Sequence, residues 1–419
     1  MRIAFVCAGA KPGRDGVGDY SRLLAGELER RGNKTALLAL NDRTLEGGSV
    51  FSETTLRLPA AMSWNARLRE AKAFLTTFRP DVLSLQFVGY GFDPRGLPLG
   101  LAAKLRMLAA GVPWHVMFHE LWIEPEGGWT HRVLSRLQKA HIVDLCRTLR
   151  PMMVHTSNPY YAARLESAGI PCRELPLFGN IPVVPHESPR DEDEWVFVFF
   201  GSLRRGWEPE PLLTRINSAR AGAGKKICRF VSIGRLGEHG ESVWKKMKWG
   251  GYENFVFEKR GELDPPGISQ SLQECDFGIA VSPLHLLGKS GAVAAMREHG
   301  LPVIVNRSTS PKAQEGPAST LRSGCPPGQN IRPSLETGAL ARGFCQDRGG
   351  SRKHTDAALT SRALLAQRFT SSIVLLDEDF EKNLTTAKRT ECQEMIGSVT
   401  DQFLFELEGT DRPPLTPAA

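Results

Sequence analysis

Four short stretches carry residues whose types and spacing suit chemistry, and each begins where an apolar run ends. In VMFHELW, His119 and Glu120 directly follow the run PWHVMF. In VFVFFGSLRRGWEPEPLL, Gly201 and Ser202 close an apolar run, and Arg204 and Arg205 come next. Two guanidinium groups beside a helix N-terminus can hold a diphosphate through charge-assisted, bidentate hydrogen bonds. In PLHLLGKSGAVAAMREHGLPVIV, Gly288, Lys289, Ser290 and Gly291 open a helical pattern and offer a second anion site made of one ammonium and the turn amides. In GRDGVGDYSRLLAGELERRG, Gly13, Gly16 and Gly18 fall between the run RIAFVCAGA and a helix in which Tyr20, Leu23, Leu24 and Leu28 recur at helical spacing. Glycines there let a ligand approach the backbone closely, or simply reverse the chain. A structural histidine and a solvated arginine pair are the corresponding plainer readings of His119 and of Arg204 with Arg205.

Several better-known sites are excluded by spacing. A dinucleotide fingerprint needs glycines at i, i+2 and i+5, but Gly9 is followed by Lys11, and Gly16 with Gly18 is followed by Ser21. Asp42, closing KTALLALND, is the acid such a fingerprint would use. No GxxxxGK[ST] loop precedes Lys289, since Ser282 and Pro283 stand where its first glycine would be sought. The eight cysteines are scattered without CxxC or Cys/His ligand spacing, so neither zinc nor a disulfide framework is implied. Both DED runs lie away from the ends of apolar runs and read as solvated acidic stretches, leaving no metal site.

These residues are positioned by alternating elements. RIAFVCA, KTALLAL, TTLRLP, VLSLQF, PWHVMF and MMVHTS read as strands with helical patterns between most of them, which implies parallel strands joined by crossover helices. Prolines and charges interrupt this at LPLFGNIPVVPHESPRDEDE. The alternation restarts with WVFVFFGS, KICRFVSIG, NFVFEKRG, DFGIAVSP and LPVIVN. The expected fold is α/β, with two Rossmann-like doubly wound domains facing a cleft. The expected bounds are 1–177 for the first domain, 178–194 for a linker and 195–355 for the second domain. A C-terminal helical segment at 356–400 and a tail at 401–419 follow. At 419 residues, two domains of roughly 150 to 200 residues are expected. The N-terminal apolar run is short and continues into a β-α unit rather than a leader, so a cytoplasmic protein is expected. The net charge of +7 favours phosphorylated ligands or anionic membrane surfaces, while no aromatic-interleaved basic motif points to nucleic acid.

In order and spacing, GVGDYSRLLAGEL, HELW, FGSLRRG and HGLPVIV resemble GT-B glycosyltransferases, especially the retaining type of glycosyltransferase family four. The resemblance covers roughly residues 1–305 and extends to AQRFTSSIVLL, which is similar to the family's closing segment that crosses back to the first domain. It implies a nucleoside diphosphate sugar donor held chiefly by the second domain, and a saccharide or lipid-linked acceptor on the first, with no cofactor. By that resemblance Gly16 and Gly18 approach the donor phosphate and sugar, and His119 lies near the donor sugar. Arg204 or Arg205 contacts the diphosphate next to Gly201 and Ser202, and Lys289, Ser290 and Gly291 form the donor loop. The paired glutamates of many family members are missing, with Leu287 and Ala295 in the corresponding places.

Transfer from such a donor puts negative charge on the leaving diphosphate, which cations and backbone amides can stabilise without a metal. In SWNARLREAKAFLTTF, Trp64, Leu68, Ala71, Leu75 and Phe78 form one helical stripe, with Arg67, Arg69 and Lys72 elsewhere. That pattern suits either a peripheral helix on the anionic inner face of a membrane or ordinary core packing. A nucleotide-sugar epimerase of similar fold, with Glu120 as its main acid, and a non-catalytic sugar-binding or partner protein are the alternative functions.

Overall fold

The computed structural model describes residues 1–419 except 109–110, 126–127, 188, 190, 204–206, 307–372 and 410–419. Its first strand shows why the chain folds as it does. β1 (Arg2–Cys7) is apolar at almost every position and buried from Ile3 onward, the signature of a central parallel strand covered on both faces. It pairs in parallel with β2 (Lys34–Asp42) on one side and β5 (Val82–Phe87) on the other. With β3 (Val50–Phe51), β4 (Thr55–Pro59), β6 (Trp114–Phe118), β7 (Met153–Thr156) and β8 (Arg173–Glu174), they form an eight-stranded sheet ordered β3-β4-β2-β1-β5-β6-β7-β8. Only the β3–β4 pair is antiparallel. The order reverses at β1, which opens a crevice beyond the carboxyl ends of β1 and β5, where ligands gather in doubly wound sheets.

The second sheet is entirely parallel. β9 (Glu194–Phe200), β10 (Ile227–Ile233), β11 (Phe255–Gly261), β12 (Phe277–Ala280), β13 (Val303–Val305) and β14 (Ile373–Leu375) lie in the order β11-β10-β9-β12-β13-β14. The molecule therefore has two Rossmann-like α/β domains, as the alternating runs imply. β14 is a correction: the segment TSRALLAQRFTSSIVLLDEDFEKNL reads as helical, yet Ile373–Leu375 pairs with Val303–Val305 as an edge strand. A three-residue apolar run has no periodicity of its own, so tertiary pairing decides its state.

The chain then returns to the first domain. The element that does so is the helix Ile396–Glu408, later than the AQRFTSSIVLL segment expected to cross back, and residues 401–408 belong to it rather than to a tail. Val399, Phe403 and Leu407 are buried in the same core cluster as Ile3, Phe5 and Cys7, so this helix covers one face of the first sheet. Each such side chain contributes about 1.5–3 kcal/mol by leaving water. Arg31 Nε bonds Asp401 Oδ1 at 3.0 Å, and Arg31 Nη2 bonds the Gly397 carbonyl at 2.9 Å.

Candidate functional site

The loop after β1 and the start of the helix α1 (Gly16–Arg30) build one wall of a cleft of about 430 Å³ at the strand-order reversal. The ends of β5 and β6 supply Gln86, Val88, His119 and Glu120, and the second domain supplies Lys289 and Gly291. Five sequence-predicted residues are therefore brought together: Gly16, His119, Glu120, Lys289 and Gly291. A larger groove of about 800 Å³, lined by Phe51, Phe74 and Phe78, lies at the amino ends of the strands, away from these groups.

The other predicted residues that are described lie elsewhere. Gly18 is buried, and its N–H donates to the Asp15 carboxylate at 2.9 Å. A Cβ there would lie 2.7 Å from Ala10 Cα, so Gly18 serves the close packing of α1 on the preceding loop and offers no free amide. Gly201 takes φ +88 at the end of β9 and donates its N–H to the Ile233 carbonyl. Ser202 and Ser290 line a separate cleft of about 20 Å³, and Ser290 caps the helix Gly291–Glu298 by accepting from Val293 N. Arg204 and Arg205 fall outside the described residues.

Asp42 is engaged within the first domain. It accepts from Ala10 N at 3.1 Å, from the amide and hydroxyl of Thr44, and from Arg57 Nε at 2.8 Å. Burial works against its charge, but these hydrogen bonds outweigh burial and hold its carboxyl below the usual range. Leu287 and Ala295 are both buried in the second-domain core. The carboxylate on that helix, Glu298, turns to the amide of Gly179 at 2.8 Å instead, and burial pushes its pKa up to about 7.

Sequence reading misses several groups in the cleft. Asp15 is the N-cap of α1 and accepts from the amides of Val17 and Gly18, while burial pushes its carboxyl up. A phosphate at that helix terminus would meet a carboxylate. An aspartate directly before an amphipathic run is the sequence signal for such a cap. Tyr20 is buried, with its ring stacked on Phe178 at 4.6 Å and edge-on to His119 at 5.0 Å. Its hydroxyl has no hydrogen-bond partner among the described residues. Arg14 and Asn180 also line the cleft.

His119 is buried, and Gln86 Oε1 lies 2.9 Å from its Nε2. Burial pushes its pKa down to about 3, so the ring is neutral at physiological pH. Lys289 Nζ approaches Glu120 Oε1 at 3.3 Å across the domain boundary. Gly288 makes this approach possible, because a Cβ there would lie 2.8 Å from both Asn158 Cβ and Ser157 O of the first domain.

The membrane-suited stripe of Trp64–Phe78 is core. Leu68, Ala71, Leu75 and Phe78 are buried in the first domain. Arg67 is buried too, donating to Leu40 O and Asn41 Oδ1 at 2.9 and 2.7 Å. The exposed apolar and basic residues Trp129, Val133, Leu137, Arg132 and Arg136 share one face of the helix Trp129–Leu149 instead. No described helix is long and apolar enough to cross a membrane.

No protein-family model and no curated protein sequence matches the chain. Solved structures do resemble it. A glycosyltransferase from Rickettsia africae superposes with a TM-score of 0.50 at 9% identity, over 99% of this chain and 100% of that one. A UDP-GlcNAc 2-epimerase from Methanocaldococcus jannaschii gives 0.47 at 10% identity, over 97% and 99%. The lipopolysaccharide outer core galactosyltransferase WaaB gives 0.46 at 12% identity, over 97% and 100%. At such identities the likeness concerns architecture alone. Two parallel-sheet domains, a cleft at the strand-order reversal and a C-terminal helix returning to the first domain together make this a GT-B fold.

Proposed function

We propose that the protein is a metal-independent, retaining glycosyltransferase that moves a sugar from a nucleoside diphosphate sugar to a saccharide or lipid-linked acceptor. The observation that carries this reading is the convergence, in one cleft, of a neutral imidazole, the Glu120 carboxylate and a lysine from the facing domain. His119 would hydrogen-bond the donor sugar and hold its anomeric carbon toward the acceptor. Lys289 and the turn at Gly291, with Arg204 and Arg205, would stabilise the charge that grows on the leaving diphosphate, taking Lys289 from its contact with Glu120. Asp15 at the start of α1 would keep the diphosphate on the second-domain side. A lipid-linked acceptor at an anionic bilayer would arrive along the face of Trp129, Val133 and Leu137, where Arg132 and Arg136 supply complementary charge.

A nucleotide-sugar epimerase is the second reading, supported by the two carboxylates, Asp15 and Glu120, that line the same cleft. Incubation with a panel of nucleotide sugars and acceptors, with and without excess chelator, separates the two. Acceptor-dependent release of nucleoside diphosphate that survives the chelator is expected. An epimerised sugar would replace this reading with the second, and binding without turnover would overturn both.

A further inference from the structure

A line of buried side chains leads from the cleft through the first sheet to the returning helix. His119 Nε2 lies 2.9 Å from Gln86 Oε1, and Gln86 Nε2 lies 2.8 Å from Ser84 Oγ. Ser84 Oγ lies 2.8 Å from His115 Nδ1, and His115 Nε2 lies 3.0 Å from His155 Nδ1. The line ends where His155 Nε2 meets Glu406 Oε2 at 2.7 Å. All six residues are buried, and Ser84, His115 and His155 are fully so.

The direction of every hydrogen bond follows from the two ends of the line, a carboxylate that can only accept and an amide nitrogen that can only donate. His155 must therefore carry its proton on Nε2. Its Nδ1 accepts from His115 Nε2, because the Gln86 amide nitrogen donates to Ser84 and leaves the Ser84 proton for His115 Nδ1. Ser84 has one hydroxyl proton, which goes to His115, and its oxygen accepts from the amide nitrogen of Gln86. The Gln86 oxygen is left facing His119, whose Nε2 must donate. A neutral His119 then keeps its lone pair on Nδ1, for which no hydrogen bond to a described residue is found, on a ring that lines the cleft.

Glu406 is suited to anchor this order. Burial opposes its charge, but hydrogen bonds from His155 and Gln402 outweigh burial and lower its pKa. Burial and the neighbouring imidazoles hold His115 neutral. The amide of Gln86 does not pass a proton on, so the chain orients His119 rather than conducting to it.

We infer that Glu406, on the returning helix, is a positioning residue that fixes His119 in its Nε2–H tautomer, so that the cleft presents a hydrogen-bond acceptor and selects a ligand with a hydroxyl at that point. The tautomer follows from the hydrogen-bond chain alone, and its effect on turnover rests on the transferase reading of the cleft. The fold thereby couples its last helix to its first domain's ligand contact through polar groups as well as through Phe403, whose ring meets His115 edge-on at 5.1 Å.

Nitrogen-15 NMR of the full chain with labelled histidine reads the tautomer directly, with His119 assigned from its loss in His119→Gln. The wild type is expected to show His119 as Nε2–H alone. Glu406→Lys puts a donor where the acceptor was, and a Nδ1–H form of His119 should appear. Glu406→Gln, whose oxygen can still accept from His155, should keep the wild-type pattern. Should the lysine variant not fold, Ser84→Ala cuts the chain while leaving Glu406 on His155, and should mix the tautomers likewise. In transfer assays kcat should fall about tenfold in Glu406→Lys, with KM for the donor changed less than about twofold, and return in Glu406→Gln. An unchanged single tautomer in Ser84→Ala, or in a folded Glu406→Lys, overturns the inference. A shifted tautomer with wild-type kcat overturns the positioning role. If no donor is turned over the transferase reading fails, and the tautomer measurement alone decides the inference.

Discussion

Replacing Tyr20 with phenylalanine should stabilise the protein and leave its ligand binding unchanged, because the missing oxygen is shut inside the first domain. The ring is 3% exposed and held between Phe178 and His119, contacts that phenylalanine keeps. The hydroxyl is buried without a hydrogen-bond partner among the described residues. Burying an unsatisfied polar group costs about 1–3 kcal/mol. Removing it should recover about 1 kcal/mol, or roughly 2–4 °C in the melting temperature of a domain of this size. The same burial keeps the hydroxyl from a ligand in the cleft, so Tyr20→Phe should change Kd less than about twofold. Urea unfolding reads the first quantity and titration calorimetry with a nucleoside diphosphate sugar the second. A less stable variant would refute the reasoning, because it would mean that the hydroxyl has a structural partner, and an affinity loss of about tenfold would mean that the hydroxyl reaches the ligand.

His119→Gln retains a donor for Gln86 but loses the Nδ1 acceptor, so turnover should fall about tenfold in a folded protein, measured by nucleoside diphosphate release. The unfolded chain protonates this histidine below about pH 6.5, whereas the folded chain resists until about 3, so wild-type stability from this group is lost as pH falls through that window. The variant should therefore gain on the wild type by about 1.4 kcal/mol per pH unit below 6.5, and a difference that does not change with pH in urea titrations would refute a buried neutral ring. Gly18→Ala would place its Cβ 2.7 Å from Ala10 Cα and 3.0 Å from Gly9 O, backbone atoms that cannot move aside, whereas Gly16→Ala meets nothing within 4 Å. The first should cost about 1–3 kcal/mol and the second about 0.5 kcal/mol or less in denaturant unfolding, and equal costs would mean that the loop after β1 can shift.

The sequence by itself determined the elements whose burial is decided locally. RIAFVC, VLSLQF and WVFVFF are strands because nearly continuous apolar runs suit sheets covered on both faces, and the helix after Asp15 is marked by its cap and its stripe of leucines. The clustering of His119, Glu120 and Lys289 followed from their common place beyond strand ends. Tertiary structure decided what depends on residues far apart in the chain. Tyr20 shares its helical spacing with the core residues Leu24 and Leu28, and only its packing against Phe178 and His119 leaves its hydroxyl without a partner among the described residues. Gly16 and Gly18 read alike, yet one lines the cleft and the other is pressed against Ala10. Arg67 lies beside an apolar stripe, but the carbonyl of Leu40 and the side chain of Asn41 draw it inside. Ile373–Leu375 became a strand because β13 offered an unpaired edge. Ser84, Gln86, His115, His155 and Glu406 come from three strands and the last helix, and no local pattern announces that they meet. Periodicity records which face of an element is buried, whereas the partner of a buried polar group is set by the packing of elements against one another.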